Sequence, residues 1–202
     1  MKFKPWFLII FSLIAFIIYI SIPDNSKVEK LKSNQDSIAT INSRAQKVES
    51  FRTLDDSPIK DKANFKGLTY YPYQSAWKLD FQIKKLDEIK EIEVKMTDGS
   101  VEKMVLFAVI STEKNGKQLS LDLYQHSNGN FFLAFKDLTA PIETYGGGRY
   151  IDIPADQLNG NKITVDFNQA YFPYCAYNET YACPVPPQRN SIPLKIQAGE
   201  RR

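Results

Sequence analysis

The sequence predicts a mainly β protein: an antiparallel β-sandwich or partly open barrel, preceded by an N-terminal membrane anchor helix and an amphipathic helix. Three observations carry this. Apolar and polar residues alternate along most of the chain after Phe65, the period of a half-buried strand. Turn dipeptides, Asp98-Gly99, Asn115-Gly116 and Asn128-Gly129, separate the alternating runs, as tight hairpins require. Ahead of them, Pro5 to Pro23 carries no charge, and Trp6–Ile22 is almost wholly apolar.

The apolar run comes first. Its 17 residues span roughly 28 Å as a helix, near the thickness of a bilayer core. No second run approaches this length, which excludes a multipass protein. Residues 1–23 therefore read as an uncleaved, signal-like anchor. The end of the run, Ile18-Tyr19-Ile20-Ser21-Ile22, lacks the small residues of a cleavage site. Lys2 and Lys4 stand before the run, and Lys27, Lys30 and Lys32 after it. The positive-inside count is nearly tied. The four-residue head decides it: the main domain is expected outside the cytoplasm, held to the cell (inner) membrane by residues 6–22.

Residues 24–64 form a polar linker and helical arm. Asp24 to Asp56 contains neither Gly nor Pro, and Leu31, Ile38, Ala45, Ile41 and Val48 make a thin seam of seven-residue spacing. A helix over 35–54 is expected, ended by Ser57-Pro58. It serves either as a stalk or dimerising helix, giving a homodimer, or as a helix packed on the next domain.

Residues 65–202 form the β domain. Trp77, Leu79, Phe81 and Ile83 share one face. Ile92–Met96, Val101–Thr112, Leu119–Leu123, Phe131–Phe135, Tyr150–Ile153, Lys162–Phe167 and Ile192–Gln197 follow as strands. The stretch of about 134 residues to Ala198 is long enough to bury its own core.

Composition narrows the function classes. The formal charge is +3 and falls to about +1 without Lys2 and Lys4, too little to build a nucleic-acid face. One histidine, His126, excludes multi-histidine metal sites. It also leaves Ser or Cys nucleophiles without a nearby base. Cys175 and Cys183 would need two more ligands to hold zinc, so no metal and no cofactor is expected. The cysteines themselves would close a small loop as a disulfide in an oxidising compartment and remain thiols in a reducing one.

Two segments stand out as a site. Glu143-Thr-Tyr-Gly-Gly-Gly-Arg-Tyr150 gathers three of the nine glycines. Gly146, Gly147 and Gly148 can form an anion-binding nest, with Arg149 as its charge. The alternative is a glycine bend with Arg149 in a structural ion pair. Asp166 to Asn190 holds both cysteines and four of the eleven prolines, together with many tyrosines. A stiff aromatic loop on a β scaffold suits binding; otherwise it caps one barrel end. The expected small, anionic ligand would meet Arg149, Tyr145, Tyr150, Tyr171 and Tyr174, oriented by Asn168 and Asn190. The rivals are a hydrolase-like enzyme using Glu143 or Asp166 as base beside Arg149, and an envelope structural or interaction protein.

Phe65-Lys-Gly-Leu-Thr-Tyr-Tyr-Pro, Glu143-Thr-Tyr-Gly-Gly-Gly-Arg-Tyr, Asp166-Phe-Asn-x-Ala-Tyr-x-Pro-Tyr-Cys-Ala-Tyr and Cys183-Pro-x-Pro-Pro-x-x-Asn together carry a resemblance. From about Arg44 to Glu200 the chain resembles the bacterial family catalogued as domain of unknown function 1684. The resemblance implies that the glycine–arginine and cysteine–proline segments are family hallmarks. It carries no established activity, substrate or catalytic residue.

Overall fold

The structure, a computed structural model, describes residues 25–202. The expected membrane segment, residues 6–22, lies outside the described residues. Among the described residues no helix is long and apolar enough to cross a membrane. The chain divides into two compact units, Met1–Ala39 and Thr40–Arg202.

Among the described residues one helix, α1 (Asn25–Thr53), precedes the strands. It starts ten residues before the expected Gln35, because no Gly or Pro interrupts the sequence there and Asn34 does not break it. Its second half belongs to the larger unit. Thr40 and Phe51 are buried there, so the arm packs on the domain from Thr40 onward.

The strands are β1 (Thr69–Tyr70), β2 (Lys78–Lys95), β3 (Val101–Lys114), β4 (Lys117–Gln125), β5 (Phe131–Asp137), β6 (Arg149–Ile153), β7 (Leu158–Asn159), β8 (Lys162–Asp166), β9 (Ser191–Ile192) and β10 (Glu200–Arg201). Seven of them make a curled antiparallel path, a half-barrel, in the order β6-β5-β4-β3-β2-β8-β7, with β9 added parallel beside β5, while β1 and β10 form a separate antiparallel pair. The partly open barrel is therefore the observed alternative.

The expected hairpins are present. Asn115 and Gly116 both take positive φ between β3 and β4, as a tight turn demands. The two short strands expected at Trp77–Ile83 and Ile92–Met96 are one strand, β2, with a register shift between Lys85 and Lys90. The strand expected at Ile192–Gln197 shrinks to β9, which pairs parallel with β5. The reason lies beyond it: the backbone N–H of Ile196 donates to the Asp137 carboxylate (2.7 Å), not to a ladder.

The curl creates two apolar layers. The concave side holds the main core, including Phe81, Ile110, Leu121, Leu133, Phe135, Ile151 and Phe167. The opposite face of β5 and β6 is covered too. There Tyr124, Phe132, Ala134 and Tyr150 pack with Cys175 and Cys183. Strand parity sorts the residues: Arg149, Ile151 and Ile153 turn inward, while Tyr150 and Asp152 turn the other way.

Candidate functional site

The glycine–arginine segment does not open to solvent. Arg149 is 1% exposed. Its guanidinium donates to Asp137 Oδ1 (3.2 Å) and to the carbonyls of Ile196 (2.8 Å), Glu200 (3.3 Å) and Ala198. Asp137 in turn accepts from the Thr139 hydroxyl (2.8 Å) and the Ile196 N–H. Burial pulls the Arg149 guanidinium below its ordinary value, and the Asp137 carboxylate works against that. Every contact fixes the C-terminal segment against β5 and β6. The structural ion pair, one of the two sequence readings, describes Arg149.

Its glycines serve the same packing. Gly148 has φ +98, and a Cβ there would stand 2.5 Å from the Phe135 carbonyl and 2.8 Å from Pro186. The chain passes too close to β5 for any other residue. Gly147 lies under the Tyr145 ring, and Gly146 lies against Pro141. Tyr145 packs with the second apolar layer, its hydroxyl 4.0 Å from Cys175 Sγ. None of these four residues lines the tyrosine-walled cleft described next.

Asn190 is a clamp. Fully buried, it accepts from the Asp122 N–H (2.7 Å) and donates to the carbonyls of Asp122 (2.9 Å) and Ala134 (2.8 Å). Asn168 repeats the device: it accepts from the Gln74 N–H and donates to the Gln74 carbonyl, both at 2.9 Å, and to Asp166 (2.8 Å). Asp166 caps the short turn that follows β8. Glu143 accepts from Lys195 (2.9 Å), Gln197 (3.0 Å) and the Tyr71 hydroxyl (2.9 Å). Lys195, Gln197 and Tyr71 hold its carboxyl down at about 2. Each carboxylate proposed as a base is thus engaged in its own structural network.

The tyrosine-rich segment behaves differently. A cleft of about 860 Å³ lies between the second half of α1 and the outer face of β6. Of the sequence-expected residues it brings together Tyr150, Asn168, Tyr171 and Tyr174, with Cys183 at its edge. An isolated bridge between Tyr150 and Tyr171 ties the loop to β6. The Tyr171 hydroxyl donates to Asp152 (2.7 Å), and Tyr174 meets Tyr181 edge to face at 5.3 Å. Burial, with Asp152 beside it, pushes the Tyr171 phenol far above its usual range.

Sequence reasoning missed the helix side of this cleft. Arg44 and Lys47 reach in from α1. Arg44 lies over the Tyr70 ring (4.6 Å) and donates to the carbonyls of Tyr71 and Asn168, both at 2.9 Å. Lys47 lies over the Tyr171 ring (4.2 Å) and pairs with Glu200 (3.3 Å). Burial draws its ammonium below the ordinary value, and Glu200 pulls the other way. A signal was present. Thr40, Arg44, Lys47 and Phe51 follow the 4-3-4 spacing of one helix face, beside the exposed seam of Leu31, Ile38 and Ile41.

The cysteines sit next to the cleft as buried free thiols. The Cys175 N–H donates to Cys183 Sγ at 3.3 Å. Burial pushes the Cys183 thiol up to about 12. Among the described residues no group of His, Cys, Asp and Glu could hold a metal ion. His126 stands on the outer side of β6, 3.8 Å from Asp152.

The family model described as Protein of unknown function (DUF1684) matches residues 63–201. No curated protein matches the chain. Among solved structures, it is similar to an uncharacterized protein of Haloarcula marismortui, determined by solution NMR. The two are 26% identical with a TM-score of 0.67, over 88% of this chain and 97% of that chain.

Proposed function

The chain belongs to the DUF1684 family, and we propose that it is a binding module for a small organic molecule held in the cleft beside β6. One observation carries the reading. The cleft has the volume of a small-ligand site, and its walls are amphipathic rings: Tyr70, Tyr150, Tyr171, Tyr174 and Tyr181. Tyrosines offer flat contact area with little ordering cost. Asp152, Gln169 and Ser43 supply polar contacts on the same walls.

The anionic preference expected from Arg149 does not carry over to this cleft. Arg149 is committed elsewhere. The two cations that do line the cleft already meet carbonyls and Glu200, and Asp152 adds a negative charge. An uncharged, polar ligand with a flat face fits this balance better. A ligand-detected NMR screen of such fragments against the full chain tests the reading. Hits should vanish in Tyr174→Ala and Tyr181→Ala while the unfolding midpoint barely moves. No hits, or hits indifferent to both substitutions, would refute it.

We place this module at the inner membrane, carried by residues 6–22 with the β domain outside the cytoplasm. The charge-free run and its short head support that reading. Protease added to cells with an opened outer envelope and an intact inner membrane should digest the domain; protection would reverse the orientation. A second reading, contact with a further copy through α1, is favoured by Leu31, Ile38 and Ile41, which are 63%, 60% and 56% exposed. Sedimentation of Ile38→Glu against the unaltered chain tests it, because a dimer of this kind should dissociate.

A further inference from the structure

Lys47, on the cleft wall, reaches a buried carboxylate. Glu200, on β10, has a side chain only 2% exposed. Its carboxylate accepts from the Phe172 N–H (2.9 Å), the Tyr177 hydroxyl and the Lys47 ammonium (3.3 Å). The same ammonium lies 4.2 Å from the centre of the Tyr171 ring and 5.3 Å from that of Phe51. Phe51 itself stands edge-on to Tyr177 at 5.2 Å. A buried carboxylate with aromatic faces beside its counter-ion is an environment that selects a cation. Left without one, it would hold an uncompensated buried charge.

Who supplies each part matters. Glu200, Tyr171, Phe172 and Tyr177 all lie within residues 63–201, the stretch that matches the family. Lys47 lies outside it. One turn earlier the division repeats: the Arg44 guanidinium rests on Tyr70 and donates to the Tyr71 and Asn168 carbonyls. At both points the β domain offers acceptors and ring faces, and the helix offers the cation.

We propose that the β domain carries a site for primary alkylammonium groups, formed by Glu200, Tyr171 and Tyr177, and that Lys47 fills it as a built-in ligand. The unaltered chain is then closed to free amines at this point. Removing the Lys47 side chain opens the site without touching the groups that form it. The inference is independent of what the open cleft above binds, and its failure would leave that reading standing.

The probe is n-propylammonium, which reproduces the lysine side chain beyond the Cβ that alanine keeps, with n-propanol as the neutral match. Both are titrated into full-chain Lys47→Ala and the unaltered chain, with binding read by calorimetry and by Tyr171 and Tyr177 ring signals. Lys47→Ala should bind the amine at least tenfold more tightly than it binds the alcohol, and at least tenfold more tightly than the unaltered chain does. Adding Glu200→Gln should erase the preference. Lys47→Met, which fills the channel without charge, should show no gain. If Lys47→Ala does not fold by itself, it is refolded with each probe. Recovery with the amine alone supports the site. Equal recovery with the alcohol, or none with either, overturns it, as does equal amine binding by Lys47→Ala and the unaltered chain.

Discussion

The glycine–arginine turn and the tyrosine–proline loop looked alike in the sequence, and they do opposite things in the molecule. Both gather unusual residues after the main hairpins. In the turn, the charged residue points into the fold and is consumed by it: Arg149 holds Asp137 and three backbone carbonyls. In the loop, the rings of Tyr171, Tyr174 and Tyr181 remain along a cleft. A buried arginine is costly unless each donor finds a partner. The turn meets most of that demand and leaves little for a ligand. The cleft rings need no such matching, so their surface stays usable.

This contrast can be broken or sharpened by substitution. The largest effect should come from Arg149→Met. It leaves Asp137 buried without its counter-charge, and urea unfolding should report a loss of about 3–5 kcal/mol. A near-native midpoint would return Arg149 to the ligand-binding role. Next is Gly148→Ala. Its φ of +98 and its contact with the Phe135 carbonyl predict a loss of more than about 1 kcal/mol. A smaller cost would mean that the turn can move. Tyr174→Ala lies on the other side of the comparison. This residue is 38% exposed, so stability should change by less than about 1 kcal/mol while fragment binding is lost. A large fall in stability would make the loop a mere cap.

The smallest effect concerns pH. Lys195, Gln197 and Tyr71 depress the Glu143 carboxyl to about 2 in the folded protein, below its value in the unfolded chain. The stabilisation is complete above about pH 4.5. It fades as pH falls through the unfolded value towards 2. Glu143→Gln should flatten that limb of a stability–pH curve. A Glu143→Gln curve parallel to the native one would remove the network from the account.

The β class, its hairpins and the approximate strand positions were legible, because alternation and Asn-Gly or Asp-Gly turns act locally. The role of Arg149 stayed open in the sequence, between a ligand's charge and a structural ion pair, although one local signal pointed inward. Arg149 shares strand parity with Ile151 and Ile153, which places it on the core face. The roles of Asn168 and Asn190 could not be read from the sequence for a physical reason. An amide that orients a ligand and one that clamps a backbone use the same donors and acceptors, and only burial separates them. Arg44 and Lys47 were hidden because their partners, Asn168 and Glu200, stand far away in the chain. Helix spacing gives a face but not what that face meets. The placing of the Tyr171–Asn190 loop over β6 depends on such distant contacts too, including the bridge from Met96 to Pro184.

On the proposed reading the cleft beside β6 receives a ligand and the glycine–arginine turn belongs to the scaffold. Chemical-shift mapping of the tightest fragment on the full chain tests this most directly. Signals of Arg44, Tyr150, Tyr171, Tyr174 and Tyr181 should shift, with Gly146–Arg149 and Asn190 unmoved. Perturbations centred on Gly146–Arg149, with the cleft tyrosines silent, would contradict it.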